Sequence, residues 1–250
     1  MAFPDFTTHE WTLAVLAAFF AGVSKAGMAG LGMISVMLMV HVIPGKSSTG
    51  AVLPLLIFAD IMAAAIFRQE ILWAPIRRLA LPIAAGITIG WQILKRMPDH
   101  AFQPVIGWMV LGMLALQVLN ITRPGLTAGL PHSPSFIWAV GLLTGISTMV
   151  ANAAGPIATI YLLLMGLAKK EFIATMAWLF LIVNLSKVPM SMHLGYIDAR
   201  SFGMNVILLP AIVLGLWLGR KCILRLPQKP FLVIIMAFAA WSAVKLIWFS

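Results

Sequence analysis

Gly22-Val23-Ser24-Lys25-Ala26-Gly27-Met28-Ala29-Gly30-Leu31-Gly32 and Gly145-Ile146-Ser147-Thr148-Met149-Val150-Ala151-Asn152-Ala153-Ala154-Gly155-Pro156 interrupt two long apolar runs at matching places in the two halves of the chain. A helix broken at membrane depth frees backbone N–H and C=O groups. These are tolerated only where they are buried in protein or line a wet cavity. Paired interruptions in a duplicated membrane protein therefore point to a transport site.

Composition places those runs in a bilayer. Hydrophobic residues make up 62% of the 250 and charged residues 10%, against roughly 25% charged in a soluble domain. Mean hydropathy is +1.01. Apolar elements fall at 11–43 and 136–167, each with its break, and at 48–67, 74–94, 101–120, 172–192, 202–219 and 230–249. Most approach the roughly 20 residues that a hydrocarbon core requires. The start of the chain carries Asp5 and Glu10 instead of a basic n-region, so the first apolar stretch is expected to be retained. Trp11, Trp73, Trp108, Trp241 and Trp248 suit the two interfaces.

The formal net charge is +10. Its basic residues sit mainly in short loops, as membrane topology demands, so nucleic-acid binding is excluded as a reading. A cationic interior suits an anionic substrate. Cys222 is the single cysteine, the five His are scattered, and no metal site or cofactor is expected. No nucleophile elbow, phosphate-binding loop or zinc motif marks an enzyme. The 16 Met read as packing and lipid-facing surface.

The halves repeat. Gly22, Ser24 and Gly32 recur as Gly145, Ser147 and Gly155 at one constant spacing. Gly86, Gly90, Arg96, Pro98 and Phe102 recur as Gly215, Gly219, Arg225, Pro227 and Phe231 at a slightly longer one, and Pro82 answers Pro210. Residues 1–121 thus read as a first membrane repeat, 122–135 as a Pro- and Gly-rich linker, and 136–250 as a second repeat. The fold expected is an all-α integral membrane protein of two four-element repeats, each beginning with a broken or re-entrant helix hairpin.

Orientation follows from what the breaks do. If each break is a re-entrant hairpin, every half crosses three times and the repeats are inverted; if each is one discontinuous spanning helix, they are parallel. With hairpins, Arg68, Arg77, Arg78, Arg123, Lys169, Lys170, Arg220, Lys221, Arg225 and Lys229 share one side, against Lys46, Lys95, Arg96, Arg200 and Lys245 on the other. Spanning helices even out that bias, and half-segments of about 14 residues are short for a crossing. Hairpins and inverted repeats are favoured, and either topology puts both termini outside.

The site is expected at the breaks. A helix restarting inside the membrane presents free N–H groups and the positive end of its dipole to an anion. Gly27, Gly30, Gly32 and Gly155 allow close backbone approach, while Ser24, Ser147, Thr148 and Asn152 add hydrogen-bonding side chains. Small residues that only let helices pack give the same glycines. Lys25, within the first break, and Lys187, in the middle of a later segment beside Asn184, are buried cations that need an anionic partner. Asp60 is either a coupling group for a proton or cation or a counter-ion to one of these lysines, and Asn184 holds nearly the equivalent place in the second repeat.

With these breaks, and with Asn152-Ala153-Ala154-Gly155-Pro156 and Ile182-Val183-Asn184-Leu185-Ser186-Lys187, the chain resembles the sulfite exporter TauE/SafE family, also called the 4-toluene sulfonate uptake permease family, over almost its whole length. The resemblance implies a multi-pass carrier of the bacterial inner membrane that moves sulfite, an organosulfonate or another small organic anion. Rocking of the repeats would provide alternating access, with a proton or sodium coupling ion and a homodimer both open. A channel for an anion or a neutral solute remains the alternative, and saturation with counterflow separates the two.

Overall fold

The computed structural model describes residues 6–27, 31–43, 45–96, 132–197 and 199–225, with isolated positions between 98 and 123 and from 227 to 247. Among the described residues the fold is all helical. The helices are α1 (Thr8–Lys25), α2 (Leu31–Val42), α3 (Ser47–Ala51), α4 (Leu53–Ile66), α5 (Trp73–Arg96), α6 (Pro134–Ala151), α7 (Gly155–Leu164), α8 (Lys169–His193) and α9 (Ala199–Arg225). Most of the expected element at 101–120 and nearly all of that at 230–249 lie outside the described residues, as does Gly30.

Local chemistry sets the helix ends. Thr7 caps α1: its Oγ1 accepts from Glu10 N–H, and Glu10 Oε2 accepts from Thr7 N–H at 2.7 Å, a reciprocal arrangement that satisfies two donors with no helical partner. Pro134 opens α6, where its missing N–H costs nothing. Glu171 Oε2 takes the N–H of Ala168 at the head of α8. Pro54 stands in the first turn of α4 and separates it from α3, while Pro82, Pro189 and Pro210 lie within α5, α8 and α9. Pro54 therefore stands where a helix starts, a place that tolerates its missing N–H.

The two broken runs have unequal arms. α1 and α6 have 18 residues each, about 27 Å of helix, whereas α2 has 12 and α7 has 10, about 18 and 15 Å. The expectation of half-segments near 14 residues fails because each run breaks late, beside a residue with positive φ, Gly27 in the first and Asn152 in the second. α2 folds back against α1 instead of continuing it. Among the described residues four helical stretches are long and apolar enough to cross a membrane, 47–66, 134–151, 170–193 and 201–222. Exposed Leu81, Ile89, Leu143, Val206 and Leu214 face outward. In a bilayer such side chains gain nothing by burial, so close packing has to hold the helices together.

That packing joins helices from opposite halves. α1 lies along α9, and α6 lies along α5. At the first crossing a Cβ on Gly22 would collide with Ile212 O, and one on Gly215 with Phe19 O. At the second, a Cβ on Gly86 would collide with Leu142 O, and one on Gly145 with Ile83 O. The glycines that recur between the halves are thus the points where backbone meets backbone. Two apolar cores result. One gathers Ala14, Ala17, Ala21, Leu55, Leu56, Met204, Leu208 and Ile212 from α1, α4 and α9, with Met39 and Val42 of α2. The other gathers Leu79, Ile83, Ile87, Met149, Ala154, Tyr161, Leu179 and Val183 from α5 to α8, with Val40 of α2. α4 and α8 meet between them.

Candidate functional site

Where α1 gives way to α2, and α6 to α7, helical hydrogen bonding lapses in the interior of the protein. α1 ends as Ala26 N–H bonds Val23 O and Gly27 N–H bonds Ser24 O, with Gly27 at φ 108°, a conformation that a side chain would oppose. α6 ends on Asn152 at φ 50° and ψ 27°, left-handed backbone that Asn tolerates better than most residues. Asn152 N–H bonds Thr148 O, and Ala153 N–H bonds Ser147 O. Gly32, in the first turn of α2, and Gly155, which opens α7, line the same cavity.

Charge gathers between the turns. Lys25 Nζ lies 2.7 Å from Asp60 Oδ1, and Asp60 has no exposed surface. Asn184 Nδ2 donates to Asp60 Oδ2 at 2.6 Å. Lys25 also lies over the Phe180 ring, 4.7 Å from its centroid, where the face of the ring attracts a cation. On the far side, Lys187 donates to Thr148 O at 3.1 Å, Thr148 Oγ1 at 3.0 Å and Asn152 Oδ1 at 2.6 Å. An ammonium has three donors, so these acceptors use all of them. Asn152 Nδ2 in turn donates to Thr49 O at 2.8 Å. The cluster thus sets two lysines against one carboxylate.

The cavity encloses about 50 Å³. In this measure a single water occupies about 10–15 Å³, so the space takes a few waters or an anion of about that many heavy atoms. Ser24, Lys25, Gly27, Gly32, Thr148, Asn152, Gly155 and Asn184 all line it. Ser24 Oγ is engaged with Ala21 O at 2.7 Å. Three expected residues stand apart from the lining. Ser147 is buried, and its hydroxyl has no hydrogen-bond partner among the described residues. Lys187 is held behind the wall by Thr148 and Asn152, and Asp60 stands behind Lys25.

The apolar wall did not emerge from the sequence. Phe172, Met176 and Phe180 line the cavity from α8 together with Asn184, and Val36 and Leu56 add to it. The signal was present: residues 172, 176, 180 and 184 recur every fourth position, one stripe on a helix face. Thr49, a backbone acceptor beside the cavity, carried no such mark. His41 and His193 fall in the last turns of α2 and α8, away from the lining.

No curated protein and no solved structure matches the chain. The family model of the sulfite exporter TauE/SafE matches residues 14–246, a span that takes in both breaks and the Lys25–Asp60 pair. A match running through so much of the sequence makes the chain a member of the sulfite exporter TauE/SafE family of membrane transporters.

Proposed function

We propose that this protein is a secondary carrier that exports a small sulfur-containing anion, sulfite or a compact organosulfonate, by alternating access. The observation that carries the reading is Lys25, whose ammonium lines a small internal cavity between two broken helices and is held by a carboxylate standing behind it. An anion in that cavity meets Lys25, the side chains of Thr148 and Asn184, and the N-termini of α2 and α7, all favourable to negative charge. The volume suits sulfite better than an arylsulfonate, which would need the site to widen.

In this reading residues 1–121 and 136–250 are inverted repeats joined by the linker 122–135, set in a bacterial inner membrane with both termini on the periplasmic side. Asp60 serves as counter-ion while the site is empty. It is freed when an anion engages Lys25, and a proton or sodium ion that then neutralises it would travel with the anion, so that flux depends on that ion's gradient. A homodimer is the assembly expected of a carrier this size.

Proteoliposome flux decides the matter. Sulfite or small sulfonates should move with saturation and counterflow, and Lys25→Ala should abolish or sharply weaken that flux. Unchanged flux in Lys25→Ala would remove the proposed site, and flux without saturation or exchange would identify a channel.

A further inference from the structure

We propose that the bodies which move against each other during transport are not the two sequence halves. They are two units that have exchanged a helix: α1 to α4 with α9, and α5 with α6 to α8. The inference rests on the carrier reading for its function, but its units are defined by packing.

Within each unit, backbone lies against backbone. Gly22 and Gly215 admit no Cβ where α1 crosses α9, and Gly86 and Gly145 admit none where α5 crosses α6. Small residues at a crossing let helices approach to full van der Waals contact, the main source of cohesion inside a membrane. Each crossing joins the broken run of one half to the third long helix of the other. Each apolar core likewise draws on both halves, since Leu208 and Ile212 of α9 pack with Ala14 and Leu55, and Leu79 and Ile83 of α5 pack with Met149 and Leu179. A motion separating residues 1–121 from 136–250 would pull apart both crossings and both cores.

The surface between the units is built differently. Ala26, Ala63, Ala64 and Ala177 pave it where α1 and α4 approach α8, with Leu216 of α9 beside them. Met62, Trp178 and Leu181 flank them, and Val23 meets Ile173 beside Phe19, Phe67 and Phe172, so the seam has a centre of short side chains within a bulkier apolar margin. Polar contacts across it include Asn184 to Asp60, Asn152 to Thr49 O, and Lys25 over Phe180. Every one of these involves a residue that lines the cavity or touches one that does. An anion arriving at Lys25 therefore acts on the seam itself.

The chain passes between units where α4 leads to α5 and again where α8 leads to α9. The first link is tied down as Leu72 N–H donates to Thr175 Oγ1 at 3.1 Å. The second carries Gly195 at φ 70°, and there Tyr196 presses against Gly50. Two short, anchored links of this kind are the places a hinge requires.

Spin-label distances in nanodiscs test the proposal, in full-length protein carrying Cys222→Ser. Exposed positions Val15 and Leu214 report α1 against α9, Ile89 and Leu143 report α5 against α6, and Ile61 and Leu185 report α4 against α8. Each pair is replaced by Cys, labelled, and measured without anion and with saturating sodium sulfite. The α4/α8 pair is expected to show two populations separated by more than about 2 Å, the scale of a domain rearrangement, in a ratio that sulfite shifts. The two pairs within units should each keep one unchanged distance. Splitting or displacement of either within-unit pair overturns the proposal, as does a single fixed α4/α8 distance in both conditions. Loss of the carrier reading would show separately, as absent saturable flux, while the distances measured without anion would still decide the units.

Discussion

Asp60→Asn keeps the shape of the side chain and an oxygen for Asn184 Nδ2, yet takes the negative charge away from Lys25. In the wild type that ammonium lies 2.7 Å from Asp60 Oδ1 with the carboxylate fully buried. A hydrogen bond to a charged group contributes about 1.5–3 kcal/mol net, and an anion that recruits Lys25 must compete with it. The Asn variant removes the competitor. Each 1.4 kcal/mol is a factor of ten, so sulfite should bind about 10- to 100-fold more tightly. Without ligand the same change strands a mostly buried cation, which costs about 3–5 kcal/mol of stability. Isothermal titration with sodium sulfite in nanodiscs reads the affinity, and SDS titration reads the stability. Lys25→Met combined with Asp60→Asn should restore most of the lost stability while abolishing the gain in affinity. Equal or weaker sulfite binding by Asp60→Asn would refute the idea that this carboxylate holds the ligand's place.

Other variants separate roles that look alike in the sequence. In vesicles, Asp60→Asn should carry sulfite down its own gradient without responding to imposed proton or sodium gradients, which counterflow under each gradient would reveal. Lys187→Met leaves Thr148 Oγ1 and Asn152 Oδ1 short of a donor, while Thr148 O keeps the N–H of Asn152, so it should lower stability by about 1–3 kcal/mol for each of the two groups left unpaired. Its effect on flux should fall on the maximal rate, whereas Lys25→Met should raise the half-saturating concentration. Gly22→Ala puts a methyl into Ile212 O, while Gly203→Ala meets open space. The first should cost at least about 1–3 kcal/mol by overpacking, and the second should stay within about 0.5 kcal/mol. Folded yield in membranes compares them directly.

Much of the site was legible because membrane burial makes polar residues conspicuous. Lys25, Asp60, Asn184 and Lys187 stand out from apolar runs, and each has to find a partner. The near-equivalence of Asp60 and Asn184 in the two halves became a contact, at a separation of 124 residues. What escaped was long-range packing. The recurrence of Gly22 with Gly145 and of Gly86 with Gly215 was visible, but not that Gly22 would meet α9 and Gly145 would meet α5. Periodicity tells which face of a helix is small, not which helix will cover it. Lys187 illustrates the same limit: its place in the sequence suggests a ligand for substrate, but not the three hydrogen bonds that it makes to Thr148 and Asn152 at the second turn.

The exchange of α5 and α9 also bears on how the protein is made. The face of α1 that carries Gly22 is completed only by α9, residues 199–225, so nearly the whole polypeptide must leave the ribosome before the first core can close. At about 5–20 residues per second that delay is on the order of ten seconds or more. Throughout it, the lipid bilayer or an insertion factor must shelter an unfinished surface and an ammonium at Lys25. Neither sequence half can mature ahead of the other, and the core of α5 to α8 can close before that of α1, α4 and α9, whose last helix is made later.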